Sequence, residues 1–189
     1  VTRSAAVILA AGASTRLGEP KQLAMLGGER LLERAVRMAR SAGCSPVAVV
    51  LGAGAERIEL ECALGAARVV RNEAWPEGMA SSIRAGVAAV MDECDRVVVM
   101  ACDQPAATAD HLRRLMERCS DAAAASGYAG RRGVPACFPA QSFASLLGLR
   151  GDAGARELLA QAAVVELPGG ELDVDTADTL RTARAAYGE

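Results

Sequence analysis

The sequence contains no CxxC pair. Its six cysteines, at positions 44, 62, 94, 102, 119 and 137, are scattered, and several sit inside apolar or helical runs. That pattern argues against a disulfide framework or a zinc site and for reduced, buried thiols in a cytoplasmic compartment. Histidine is nearly missing: His111 stands alone beside Asp110, which removes a Ser/His triad from consideration and leaves a solvated or structural role. Neither sign of charge is in excess. With 21 basic and 23 acidic residues the formal charge is −2, so no global field draws the chain to nucleic acid or an anionic membrane, and any anion site must be local. No apolar run approaches the roughly 18 residues of a membrane span, and the N-terminus lacks a charged segment followed by a secretory apolar region. Linkers, low-complexity tracts and internal repeats are also absent. A chain of 189 residues, 51% hydrophobic, suits one core, and a single domain over 1–189 is expected.

What is present is a rhythm. Unalternating apolar runs at 5–10, 46–51, 67–71, 96–101 and 163–167 have the character of strands covered on both faces. Helical spacing intervenes. Leu32, Ala35, Val36 and Ala39 share one face, as do Ile83, Val87 and Val90, and further helices are expected over 108–119, 151–162 and 176–188. Thr108 and Asp110 are possible N-caps for the first of these. Residues 127–138, "GYAGRRGVPACF", break the rhythm and predict a loop with a short strand. Strand followed by helix, repeated, predicts an α/β fold: a Rossmann-like three-layer α/β/α sandwich with a mostly parallel sheet.

In such sheets ligands bind beyond the carboxyl ends of the strands. The first strand runs into "LAAGASTRLGEPK", residues 9–21. Small residues Ala10, Ala11, Gly12, Ala13 and Ser14 let backbone N–H groups approach an anion, and Gly12 is free to adopt positive φ. Arg16 and Lys21 add charge. A P-loop is excluded because five residues separate Gly12 from Gly18 and Glu19-Pro20-Lys21 follow; the dinucleotide fingerprint is excluded because Ala13-Ser14 follow Gly12. A tight turn with solvated charges remains the plain alternative.

Asp103 ends "RVVVMACD" at the same predicted edge. Asp173 and Asp175, two apart, project to one side of an extended segment. Magnesium takes one or two carboxylates plus waters and phosphate oxygens; Asp103 with Asp175 offers that, with Asp173 as substitute, while Asp175 could equally cap the last helix. "GMASSI" opens a helix in which Gly78 permits close approach and Ser81 and Ser82 either cap it or reach a nucleotide; Met79 suits packing. Arg131 and Arg132, framed by Gly133 and Pro135, are either solvated or hold an anion. Asp152 and Arg156 are either an i, i+4 pair or second-rank site residues.

"LAAGASTRLGEPK" resembles the LAAGxSxRxGxxK signature of MobA-like nucleotidyltransferases, specifically their molybdenum cofactor cytidylyltransferase branch. Five further segments match in order: "NEAWPEGMASSIRAG", "ACDQP", "GRRGVPACF", "LRGDAGAR" and "DVDTADTL", the last with Ala177 where proline is usual. The resemblance implies a Mg²⁺-dependent transfer of CMP from CTP to the phosphate of a molybdopterin-type acceptor, with pyrophosphate released. It implies Arg16, Lys21 and Asp103 as catalytic, and Leu9 to Ser14, Gly78, Met79, Ser81 and Ser82 about the nucleotide. It further implies that Asp103 and Asp175, with Asp173 as second choice, hold the metal, and that Arg131, Arg132, Gly133, Pro135, Asp152 and Arg156 face the acceptor. "LAAG", where guanylyl relatives tend to carry LAGG, favours CTP. A molybdoenzyme or chaperone is an expected transient partner. The alternatives are a same-fold transferase using GTP or a sugar phosphate, and a non-catalytic pterin carrier; a carrier needs no triphosphate apparatus.

Overall fold

The computed structural model describes residues 2–152 and 154–188. Seven strands form one sheet: β1 (Ser4–Ala10), β4 (Val47–Leu51), β5 (Arg68–Arg71), β6 (Arg96–Ala101), β7 (Ala124–Tyr128), β8 (Arg131–Pro139) and β9 (Ala163–Glu166), in the order β5-β4-β1-β6-β8-β7-β9. β2 (Met25–Leu26) and β3 (Glu29–Arg30) make a separate small hairpin. β5, β4, β1 and β6 are mutually parallel, β8 runs antiparallel to both β6 and β7, and β9 is parallel to β7. Only β8 is reversed, so the sheet is mostly parallel, as the Val-rich runs predicted.

Successive residues of a strand face opposite sides, and β1 shows the result. Ala6, Ile8 and Ala10 join one apolar cluster, with Leu32, Val36 and Ala39 of α1 (Leu31–Ser41) and Leu112 and Leu115 of α4 (Ala109–Arg118). Ala5 and Val7 join another, with Ile83 and Val87 of α3 (Met79–Ala88) and Phe143 and Leu146 of α5 (Phe143–Leu147). Helices therefore cover both faces, giving three layers. α3 lies especially close: a Cβ at Gly86 would sit 2.2 Å from Val7 Cγ1. A third cluster docks α6 (Ala177–Tyr187) through Leu180 and Ala183 onto Leu26, Leu31 and Val174.

The predicted helix faces on α1 and α3 are all buried, but several expectations change. α3 stops at Ala88, and 91–93 form a 3₁₀ turn. Thr108, not Asp110, caps α4, accepting from His111 N at 3.2 Å. In place of a helix over 151–162 there is a 3₁₀ segment at Ala155–Leu159; Ala153 of that expected helix lies outside the described residues. Glycines at 151 and 154 leave too short a run to propagate a helix. Asp152 and Arg156 are consequently not an i, i+4 pair on one helical face. The 127–138 segment is mostly strand: β7 and β8 form a hairpin with a bulge between Ala125 and Ser126.

Candidate active site

The loop after β1 is shaped by its own backbone. Ala10 and Ala11 are buried and Gly12 and Ala13 exposed. Positive φ falls on Ser14 (54°) and Gly18 (82°), and the freedom Gly12 has to adopt it is not used. Ser14 is held there because its Oγ accepts from Lys21 N at 3.0 Å and its carbonyl accepts from Leu17 N and Gly18 N, a local pairing that offsets the strain of a left-handed non-glycine residue. The space a Cβ would occupy at Gly12 is open, so a ligand can approach its backbone.

The turn that begins at Lys21 sends the ammonium between two carboxylates. Lys21 Nζ bonds Asp103 and also Asp175 Oδ1, the latter at 2.7 Å, and Arg16 Nη2 bonds Asp175 Oδ2 at 2.7 Å. Asp103 is buried just past the end of β6, and its carbonyl accepts from Val174 N at 2.9 Å, which ties the 173–175 segment to the same edge. Val174 is fully buried, so its neighbours Asp173 and Asp175 face the cleft, as alternation predicted. Asp175 does not cap α6; Thr176 does, accepting from Thr179 N.

The electrostatics follow from this crowding. Burial alone would lower the Lys21 pKa, but Asp103 and Asp175 outweigh it and raise it. Burial likewise works to raise Asp175, yet its bonds to Lys21 and Arg16 leave it below the ordinary carboxylate value. Asp173 has no such bonded cation among the described residues: burial first, then the charges of Asp103 and Asp175, push it up to about 6. Among the described residues no three His, Cys, Asp or Glu side chains converge as a metal cage. The pair around Lys21 nonetheless meets one cation with two carboxylates, and a divalent ion that takes its other ligands from phosphates and water needs no more.

A cleft of about 670 Å³ opens on this cluster. Arg16, Lys21, Asp103, Asp173 and Asp175 line one side, with Met79, Asp152 and Gly154 nearby, and Arg131, Arg132, Gly133 and Arg156 also line it. A second cavity, about 560 Å³, lies past β4 and β5 at Gly52, Asn72 and Trp75. The loop after β1 stands between the two, its Ala11 carbonyl accepting from Ala53 N. Pro135 is not at the cleft; it lies within β8, its carbonyl accepting from Ser126 Oγ at 2.6 Å. Ser81 and Ser82 are buried and accept from Asn72 Nδ2 at 2.9 and 3.0 Å, so they brace the 72–78 turn from inside. Gly78 is a close-approach glycine against the neighbouring turn: a Cβ there would lie 2.3 Å from Asp152 Oδ1.

Two groups escaped sequence reasoning. Gln104 is buried at the cleft, donating to the Val134 carbonyl at 3.0 Å, and Tyr128 donates to the same carbonyl while its ring lies 5.2 Å from the Arg131 guanidinium. "DQP" pointed at Gln104; nothing in "AASGY" marked Tyr128. His111 is structural. Ser126 uses its only hydroxyl proton on Pro135, so His111 Nε2 must be the donor across their 2.7 Å contact.

Two cations, two paired carboxylates and exposed loop N–H groups at a sheet edge can hold a metal-bound polyphosphate, with arginines available for a second anion. Known proteins share sequence and fold with this chain. The chain is 37% identical over 165 residues to a nicotine blue oxidoreductase of Paenarthrobacter nicotinovorans, covering 82% of this chain and 80% of that protein. It is 31% identical to the purine catabolism protein PucB of Bacillus subtilis, covering 95% of each. The crystal structure of Rv0371c from Mycobacterium tuberculosis in complex with manganese superposes with a TM-score of 0.79 at 30% identity, over 98% of this chain and all of that one. A family profile for the MobA-like NTP transferase domain matches residues 6–166, and the chain belongs to that family.

Proposed function

We propose that the protein is a Mg²⁺-dependent cytidylyltransferase that moves CMP from CTP to the terminal phosphate of a molybdopterin-type acceptor. The observation that carries the reading is the ammonium of Lys21 held between Asp103 and Asp175 beneath an anion-accepting loop. An acceptor phosphate oxygen attacks the α-phosphorus in line; the new P–O bond forms as the α–β bridge breaks, and pyrophosphate leaves with the electron pair. Asp103 and Asp175 would hold the metal, which supplies charge neutralisation between the phosphates. Lys21 and Arg16 exchange their carboxylate partners for phosphate oxygens and stabilise the charge that develops on the leaving group. Arg131, Arg132 and Arg156 receive the anionic acceptor. No protein nucleophile is needed, because positioning and electrostatics carry phosphoryl-type transfer. "LAAG" supports CTP, and a molybdoenzyme or its chaperone is the proposed recipient of product.

The name of the Paenarthrobacter relative, nicotine blue oxidoreductase, favours a second reading, a redox reaction in the same cleft. One experiment separates them. Thermal shifts with Mg²⁺ and each of the four NTPs should be largest for CTP, since binding to the native state raises apparent stability, and acceptor-dependent pyrophosphate release should follow. Equal shifts, or a GTP preference, remove the CTP assignment; nucleotide binding without pyrophosphate release in the presence of molybdopterin removes that acceptor, and no shift with any NTP removes the transferase reading.

A further inference from the structure

Gln22 follows Lys21, but its side chain is turned away from solvent and completely buried. Its Nε2 donates to the Ala10 carbonyl at 2.6 Å and to the Gly12 carbonyl at 3.2 Å. Two carbonyl acceptors fix which way the amide faces, because a flipped amide would set oxygen against oxygen. Oε1 is left buried without a partner, a cost accepted at the site in order to donate twice. The Ala11 carbonyl between them is taken by Ala53 N at 3.0 Å. Three consecutive carbonyls of the loop are thus satisfied from within the protein.

A planar trans peptide points its C=O and the next N–H in opposite directions. Drawing the Gly12 carbonyl in towards Gln22 therefore turns the Ala13 N–H outward, and the same holds for Ala10 and Ala11. Gly12 and Ala13 are exposed, and the N–H groups of Gly12, Ala13 and Ser14 donate to no acceptor among the described residues. We propose that Gln22 is a positioning residue that sets the polarity of this loop, keeping its carbonyls inward so that its N–H groups receive the phosphate oxygens of a nucleoside triphosphate. The proposal rests on the nucleotide reading above. It requires glutamine in particular: glutamate would face two carbonyls with a carboxylate, and methionine would fill the volume without a donor.

Inorganic pyrophosphate, titrated into ¹⁵N-labelled protein, should shift the amide resonances of Gly12, Ala13 and Ser14; no shift there at saturation overturns the proposal. Gln22→Met should keep the native circular dichroism and weaken both pyrophosphate and CTP binding by about tenfold or more, as for the loss of preorganised donors. Lys21→Ala is the control. Unchanged binding in Lys21→Ala means the triphosphate reading itself has failed, whereas weakened binding there with Gln22→Met within about twofold of wild type, well short of the loss expected, removes only Gln22. Gln22→Glu gives a readout that mere packing would not move. Its buried carboxyl favours the protonated, donating form, so CTP affinity relative to wild type should recover as pH falls from about 8 to about 6; a loss independent of pH overturns the role.

Discussion

On the β1–β6 side of the cleft the charged groups are already engaged: Lys21 with Asp103 and Asp175, Arg16 with Asp175. The loop beside them is pinned through Gln22 and Ser14. Across from it, Arg131, Arg132 and Arg156 line the cleft and form no ion pair among the described residues; Arg131 only lies over the Tyr128 ring. The loop of the first wall is pinned in place, so on the proposed function its N–H groups would lose little freedom on binding a triphosphate. The second is adaptable, and each arginine must be ordered by what it binds. On the function proposed above, chemistry belongs to the first wall and acceptor recognition to the second.

The comparison breaks most sharply at Asp103. Asp103→Asn keeps the shape and removes a charge that balances Lys21 and would hold the metal, so turnover should fall by roughly 10²–10³ with the fold retained. Near-normal pyrophosphate release in millimolar Mg²⁺ would place the chemistry elsewhere.

Next in size is the response of the β7–β8 half to acid. Burial, followed by the charge of Arg114, depresses His111 from 6.5 to about 4. A base depressed in the folded state binds fewer protons there than in the unfolded chain, so unfolding takes up protons and stability falls as pH drops from 6.5 towards 4. The loss amounts to about 3 kcal/mol at most. His111→Gln retains a donor towards Ser126 and should flatten this dependence in urea titrations at several pH values; an unchanged slope would show that another group governs it.

Smaller effects should follow at the adaptable wall. Arg131→Ala and Arg156→Ala should each raise the KM for acceptor about tenfold, the worth of one charge-assisted hydrogen bond. Affinity for CTP should be untouched, and a fall in CTP affinity would merge the two walls into one site. The smallest change is expected at Asp173, which forms no ion pair among the described residues: Asp173→Asn should slow turnover by only about threefold, a partial loss beside that of a carboxylate that would hold the metal.

The two halves also differed in how far they could be read. β1, β4 and β6 announce themselves because strands buried on both faces must be apolar throughout, β5 shows only through its two valines at the sheet edge, and Asp103 was legible as the first charge after such a run. β7 is "AASGY", four small residues and a tyrosine with no β-branched side chain; its pairing with β8 and β9 is imposed mainly by tertiary contacts that a run this small does not signal. α2 (Ala55–Glu61) and α5 are too short for a period to show. The candidate site divides the same way. Lys21, Asp103 and Asp175 come together although Asp175 is distant in sequence, because Val174 N bonds the Asp103 carbonyl. Ser81 and Ser82 read as ligand groups since a hydroxyl's direction is not written in its spacing. Gln22 passed unnoticed because a buried amide tethering two carbonyls has no sequence period at all.

The central claim is that Lys21 leaves its carboxylates to hold the triphosphate and stabilise the departing pyrophosphate. Single-turnover pyrophosphate release at saturating CTP and Mg²⁺, with acceptor present, tests it in Lys21→Ala against the parent, with circular dichroism confirming the fold. The expected result is a rate lower by roughly 10²–10³. A folded Lys21→Ala protein that releases pyrophosphate within about threefold of the parent, where a solvated surface charge would leave it, would contradict the account.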